Sequence, residues 1–259
     1  MLLAIDCGNT NIVFSLFDGD ASRGEWRIET KHGRTADEYT AWFSHLLSLQ
    51  SLSLAMIKDV IIASVVPVVG VHLKRFCENN LNITPLIVGD ASVKLGVVVD
   101  IDMPSQVGAD RLVNAHAAST VAELPAIILD FGTATTFDLI RAGNVYAGGV
   151  IAPGIHLSAS ALSAAAARLP EIDIAPFGAD MPIIGRDTNA AMRSGIYWGY
   201  VAMIEGVIAR ISDAEGTMLS VIATGGLAHL FAPHIPQISH VDDNLTMRGL
   251  VQIHAMNKV

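Results

Sequence analysis

With 259 residues, 51% of them hydrophobic and 16% charged, the chain can bury a sizeable core and lacks the composition of a disordered one. Its net charge of −9 excludes the basic footprint that nucleic-acid binding needs, while leaving room for a local anion site. The longest apolar run, Val60 to Val71, contains Pro67 and falls well short of the roughly 20 residues that span a bilayer. Asp6 interrupts the first apolar run before a signal peptide's hydrophobic region could form. Two cysteines, Cys7 and Cys77, are too few for a disulfide framework. A reducing, cytoplasmic setting is expected, with neither a membrane nor a nucleic acid as partner.

Strand-like and helical patterns alternate along the chain, which predicts an α/β architecture. Leu2 to Ile5 and Ile12 to Phe17 read as strands on either side of a polar loop, and "DGD" (Asp18 to Asp20) turns the chain onward. "TADEYTAWFSHLLSLQ" predicts a helix with Thr35 as N-cap and Glu38 completing a capping box. "DVIIASVVP" reads as a buried strand stopped by Pro67, followed by a helix to about Cys77 and strands at Leu86 to Val88 and Leu95 to Val99. Beyond "MPSQVGADR", a helix is expected through "RLVNAHAASTVAE", then a buried strand at "AIILDFG". A small-residue helix begins near Gly154 and closes at "AAAARLP"; Thr188 to Ser212 is a long helical segment, "MLSVIATGG" a late strand and Leu245 to Asn257 a terminal helix. No Pro-, Gly- or Ser-rich linker stands out, so two domains, 1–114 and 115–259, are expected to meet at a tight crossover near Ala115. His229, His234 and His240 lack metal-ligand spacing and read as ordinary histidines.

The most informative feature is a repeat. Sliding the chain by 124 positions lays "DCGNT" on "DFGTA", with Asp6 on Asp130, Gly8 on Gly132 and, at the next turn, Gly19 on Gly143. Both copies follow an apolar strand and lead into a second one. Neither a Walker A loop nor a dinucleotide fingerprint occurs, so a nucleotide would need another device. Such a hairpin supplies one. Gly8 lets the backbone approach an anion, the N–H groups from Gly8 to Asn11 and the Thr10 hydroxyl can meet phosphate oxygens, and Asp6 can hold Mg²⁺ directly or through water. The second hairpin, "DFGTATT", repeats this chemistry after Asp130.

The pattern resembles the actin-like ATPase fold shared by actin, Hsp70 and sugar kinases. That resemblance implies an α/β fold of two duplicated actin-like (ribonuclease H-like) domains with a nucleotide cleft between them. Gly225 and Gly226 of "VIATGGLAHL" match the adenosine-bordering glycine pair of that superfamily. "VGADRLVNAHAA" narrows the resemblance. On chemistry alone, two readings of it stand level. Asp110 is a carboxylate favoured by a helix start and Arg111 its surface companion, or Asp110 is a general base and Arg111 grips a substrate carboxylate.

The strings "DCGNT", "SVVP", "VGADR", "DFGTATT", "GGVIAPG" and "ATGG" in this order are similar to type III pantothenate kinase and cover nearly the whole chain. The resemblance implies ATP-dependent phosphorylation of pantothenate to 4′-phosphopantothenate, the first step towards coenzyme A. By position it assigns Asp6, Cys7, Gly8, Asn9, Thr10, Asn11, Ile12 and Val13 to the nucleotide phosphates, with Thr133 contacting ATP from the second domain. Gly108, Ala109, Asp110 and Arg111 form the pantothenate loop, Asp110 accepts the hydroxyl proton, and Asp130 holds the monovalent cation, K⁺ or NH₄⁺, required besides Mg²⁺. Thr188 reaches substrate in the partner subunit of a homodimer with shared active sites. Gly195, Gly199 and Ala202 line one helix face, which by sequence suits close packing within the chain and between chains equally. One position departs from the family pattern: Ile101 stands where Tyr commonly packs on pantothenate. The rival expectations are an actin-like nucleotide switch without a base, and a same-fold kinase of another small hydroxy acid or polyol.

Overall fold

The computed structural model describes residues 1–165, 169–176, 178 and 182–258. In chain order the elements are β1 (Leu2–Cys7), β2 (Asn11–Asp18), β3 (Ala21–Glu29), α1 (Ala36–Ser48), β4 (Asp59–Ser64), α2 (Pro67–Phe76), β5 (Leu86–Ile87), β6 (Val98–Val99) and α3 (Ala109–Ala118). They continue with β7 (Ala126–Phe131), β8 (Ala134–Arg141), β9 (Val145–Pro153), α4 (Ile155–Ala165), α5 (Thr188–Glu215), β10 (Ser220–Thr224), α6 (Ala228–Phe231), β11 (His240–Val241) and α7 (Leu245–Asn257). They form two compact units, one of residues 1–120 with 244–259, the other of residues 121–243.

In the first unit the strand order is β3-β2-β1-β4-β5, with β1–β2 and β2–β3 antiparallel and β1–β4 and β4–β5 parallel. In the second unit β9, β8, β7, β10 and β11 follow each other in the same order and with the same directions. The fold is therefore a duplicated actin-like α/β domain. β1 and β4 are apolar on both faces because each lies inside the sheet with cover on both sides. β3, "ASRGEWRIE", has only Trp26 buried; as an edge strand it carries charge, and an apolar-run search therefore passes over it.

The 124-residue offset carries β1 onto β7 and β3 onto β9 residue for residue. Between them the register slips by one. The first hairpin loop is Gly8 to Thr10 but the second only Gly132 and Thr133, and the following turn restores the count with Ala142 to Asn144 against Gly19 and Asp20. The β2–β3 and β8–β9 ladders also break register at matching places, Leu16/Phe17 and Asp138/Ile140.

Local signals set several boundaries. Thr35 and Glu38 make the reciprocal capping box at α1, with Glu38 N–H to Thr35 Oγ1 at 3.3 Å and Thr35 N–H to Glu38 Oε2 at 2.8 Å. Pro67 opens α2 at N1, where its missing N–H costs nothing. Gly216, with φ +67°, ends α5 three residues beyond the expected Ser212. α3 stops at Ala118 instead of running to Glu123, and Leu95 to Val99 yields only the two-residue β6. Of the "AAAARLP" segment, residues 166–168 lie outside the described residues.

The units divide after Thr120 rather than near Ala115, which is buried within α3, and α7 belongs to the first unit rather than the second. The cause is packing. A Cβ on Gly249 of α7 would lie 2.5 Å from the Val113 carbonyl oxygen of α3, so only glycine permits this approach. Thr246 Oγ1 donates to Asn114 Oδ1 at 2.7 Å, and Asn257 exchanges hydrogen bonds of 2.8 Å with the Lys94 backbone.

Candidate active site

In the first unit the proposed residues gather where the parallel strands β1 and β4 end, the edge at which open α/β sheets bind ligands. Asp6 is half-buried near the end of β1. The Gly8 N–H closes the hairpin on the Asn11 carbonyl at 3.0 Å, so it shapes the loop and is not one of the phosphate donors expected from sequence. Asn9, Thr10 and Asn11 are exposed at the loop. Val13 is half-buried, while Cys7 and Ile12 are buried in the core, so their side chains pack under the loop and only their backbone faces it. Burial pushes the Cys7 thiol up to about 11 despite its hydrogen bond to Ser64, which makes it a packing group and not a nucleophile.

Thr30, which follows β3, pins this loop from the side. Its N–H donates to the Thr10 carbonyl at 2.9 Å and its hydroxyl to the Gly8 carbonyl at 2.8 Å. The second unit repeats the device at the position 124 residues on, where the Gly154 N–H donates to the Thr133 carbonyl at 3.2 Å. A Cβ on Gly154 would press on the Thr133 carbonyl oxygen and stand 2.7 Å from that of Gly132. Sequence reasoning missed both pins, although carrying the repeat as far as Thr30 and Gly154 would have paired them.

The "GADR" segment starts α3, with Gly108 as N-cap, Ala109 buried, and Asp110 and Arg111 half-buried. Asp110 Oδ1 accepts the Arg111 N–H at 2.8 Å, satisfying one of the helix's unpaired first-turn donors. Gly108 is held tightly between two groups: a Cβ there would stand 2.5 Å from Asp110 Oδ1 and 3.2 Å from Val65 Cγ1. The Val65 N–H in turn donates to the Cys7 carbonyl at 3.0 Å. β1, the segment after β4 and the start of α3 are thus tied together, and Asp110 shares one edge of the unit with the first hairpin.

In the second unit Asp130 is half-buried near the end of β7, opposite Thr136 of β8 and Thr224 of β10. Gly132 and Thr133 are exposed at the hairpin. Gly225, with φ +89°, presses onto this strand end. A Cβ there would lie 2.5 Å from Asp130 Oδ1 and 2.6 Å from the Phe131 carbonyl oxygen. Gly226 is exposed beside it. Thr188 is the first residue of α5, exposed, after Asp187 caps the helix by accepting the Ala190 N–H at 2.9 Å. Ile101 is half-buried.

Among the described residues no three His, Cys, Asp or Glu side chains converge as a metal cage. A single carboxylate such as Asp6 suits a cation that keeps water and phosphate oxygens as its other ligands. At this strand end Asp130 Oδ1 and the Phe131 carbonyl oxygen both face the Gly225 turn, and oxygens of these two types are donors that hard cations take. Of the three late histidines, His229 meets Asp243 at 2.8 Å, His234 lies edge-on to the rings of Tyr197 and Trp198, and His240 is on β11. No helix among the described residues is long and apolar enough to cross a membrane.

A family model described as type III pantothenate kinase matches residues 2–210. Proteins named type III pantothenate kinase from Paramagnetospirillum magneticum and Rhodospirillum rubrum are 51% and 50% identical to the chain, over 99% and 100% of its length and 98% and 99% of theirs. Among solved structures, a Campylobacter jejuni protein named for the Baf family of transcriptional activators matches at TM-score 0.55 and 20% identity, covering 98% of this chain and 97% of that one. The ethanolamine utilization protein EutJ of Carboxydothermus hydrogenoformans matches at TM-score 0.55 and 12% identity, covering 97% and 89%. At such identities the structural likeness speaks to the fold alone.

Proposed function

The chain belongs to the type III pantothenate kinase family, and on that premise we propose that it transfers the γ-phosphoryl group of ATP to pantothenate, giving 4′-phosphopantothenate for coenzyme A synthesis. The observation that supports the reading is the tie between "GADR" and the first hairpin, by which a helix-start carboxylate shares a sheet edge with that hairpin. Asp110 takes the proton from the substrate hydroxyl as its oxygen bonds to phosphorus and the bond to the ADP oxygen breaks. Arg111 grips the substrate carboxylate through its paired N–H groups. The stretch from Asp6 to Val13, chiefly through Asn9 and Thr10, and Thr133 hold the nucleotide. Mg²⁺ at Asp6 and a monovalent cation at Asp130 would neutralise phosphate charge, which is their chemical contribution.

The protein works as a homodimer in the cytoplasm in this reading. Val150 and Ile151 of β9, Leu157 and Leu162 of α4, and Ile183 and Ile184 are exposed in the second unit, an apolar excess that a partner copy would cover. Gly195, Gly199 and Ala202 are exposed along α5, which supports close helix approach across that partner, and Thr188 at the head of α5 would contact its substrate. Ile101 in the aromatic position favours a second acceptor, another small hydroxy acid, as the alternative.

The test is ADP release with ATP, Mg²⁺ and K⁺ across pantothenate, glycerol and hexoses. Pantothenate-dependent turnover is expected, and its absence would remove the substrate assignment. Asp110→Asn should lower the rate by about 10²–10⁴-fold while ATP binding persists. Parental turnover in that variant would remove Asp110 as the base.

A further inference from the structure

The second hairpin is held from behind by a side chain that none of the motifs contains. Phe131 and Thr135 are the last paired residues before the exposed loop of Gly132 and Thr133. Tyr200 of α5 touches both. Its hydroxyl shares a hydrogen bond with Thr135 Oγ1, and its ring centroid is 6.2 Å from that of Phe131. Thr135 is fully buried and Tyr200 nearly so. Phe231 completes the block, its ring 4.8 Å from Tyr200 and stacked on Phe131 at 5.6 Å. Phe231 ends α6, the helix that follows the Gly225 turn pressed on Asp130. One aromatic cluster therefore backs the loop, the Asp130 strand end and the Gly225 turn together.

The duplication shows that the fold does not require this polar pair. In the first unit the matching closing pair is Cys7 and Ile12, both buried: Ile12, at the Thr135 position, carries no hydroxyl, and the Cys7 thiol bonds Ser64 of β4 instead. A buried hydroxyl pair costs more than it returns when either partner is lost, so its presence in one copy alone calls for a local reason. We propose that Tyr200 is a positioning residue for nucleotide and cation binding: through Thr135 and Phe131 it fixes the direction in which Thr133 and Asp130 present their oxygens. This rests on reading residues 130–133 as the nucleotide and cation contact.

Tyr200→Phe and Thr135→Val each break the bond, and the double variant removes both polar groups, so no buried hydroxyl is left unpaired. Each single variant is expected to raise the dissociation constant for ATP, measured without acceptor, and the K⁺ concentration for half-activation by about three- to tenfold, with the KM for pantothenate within about twofold of the parent. The double variant should match either single variant in ATP affinity while regaining thermal stability, and Thr135→Ser should restore the parental affinity. Tyr197→Phe, which removes a 3.0 Å bond to the Leu230 carbonyl in the same cluster, is expected to lower stability without changing ATP affinity. The proposal is overturned if ATP affinity in Tyr200→Phe is unchanged, or if the double variant returns to parental affinity as its stability recovers. Thr133→Ala and Asp130→Ala separate the two readings: if neither alters ATP or K⁺ binding, the nucleotide assignment of the loop itself has failed.

Discussion

Replacing Gly108 with alanine adds one methyl group and tests the placement of the proposed base. The new Cβ would stand 2.5 Å from Asp110 Oδ1, whereas ordinary contact begins near 3.5 Å, so the carboxylate must retreat by about 1 Å. Val65 Cγ1, at 3.2 Å, gives by a few tenths of an ångström. The backbone is not strained, because φ −60° and ψ 142° at this N-cap suit alanine as well as glycine. Alanine lowers the entropy of the unfolded chain by about 0.4–1 kcal/mol, which offsets the loss of a glycine N-cap, so net stability should stay within about 1 kcal/mol. A reacting group misplaced by about 1 Å costs on the order of 10²-fold in rate, or about 2.7 kcal/mol of barrier. Gly108→Ala should therefore lose about 10²-fold in kcat in the coupled ADP assay while its melting temperature barely moves. A variant that keeps kcat within about threefold of the parent would refute the argument that Asp110 must occupy this position.

Gly154→Ala should behave in the opposite way: its Cβ meets backbone oxygens of Gly132 and Thr133, which cannot swing aside, so about 1–3 kcal/mol of stability should be lost in urea unfolding, with weaker ATP binding. Asp130→Ala should abolish the difference between potassium and sodium buffers in steady-state rate; a retained potassium response would place the cation elsewhere. Burial holds both His116 and His254 below the ordinary histidine value, with Asp59 pulling His254 back up and Lys258 pushing it down. The unfolded chain then takes up protons first, so stability is full above about pH 6.5 and falls as the pH drops from there towards the folded pKa. Urea midpoints between pH 7.5 and 5.5 should show this slope, and His254→Gln should make it shallower.

Strands whose apolar runs are buried on both faces, such as "LLAIDC" and "AIILDF", were legible directly, and so were the cap at Thr35 and the stop at Pro67. β3 was not, because an edge strand facing water carries the residues of a loop. The motifs located Asp6, Asp110 and Asp130, since each sits where an apolar strand or a helix start gives way to glycine and small polar residues. They did not show that the Gly8 N–H is spent on closing its own turn, nor that Cys7 and Ile12 face the core. Those facts depend on which way a loop bends and which face a strand buries.

The amino-acid order by itself determined the duplication and the family, because each motif is local and the offset between copies survives as a spacing along the chain. Only the tertiary structure decided that α7 returns to the first unit, that Thr30 and Gly154 pin the two hairpins, and that Tyr200 backs one of them but not the other. Each of these is a contact between residues far apart in sequence, made possible by a missing Cβ or a buried hydroxyl, and the energy of such a contact exists only once the chain has brought its partners together.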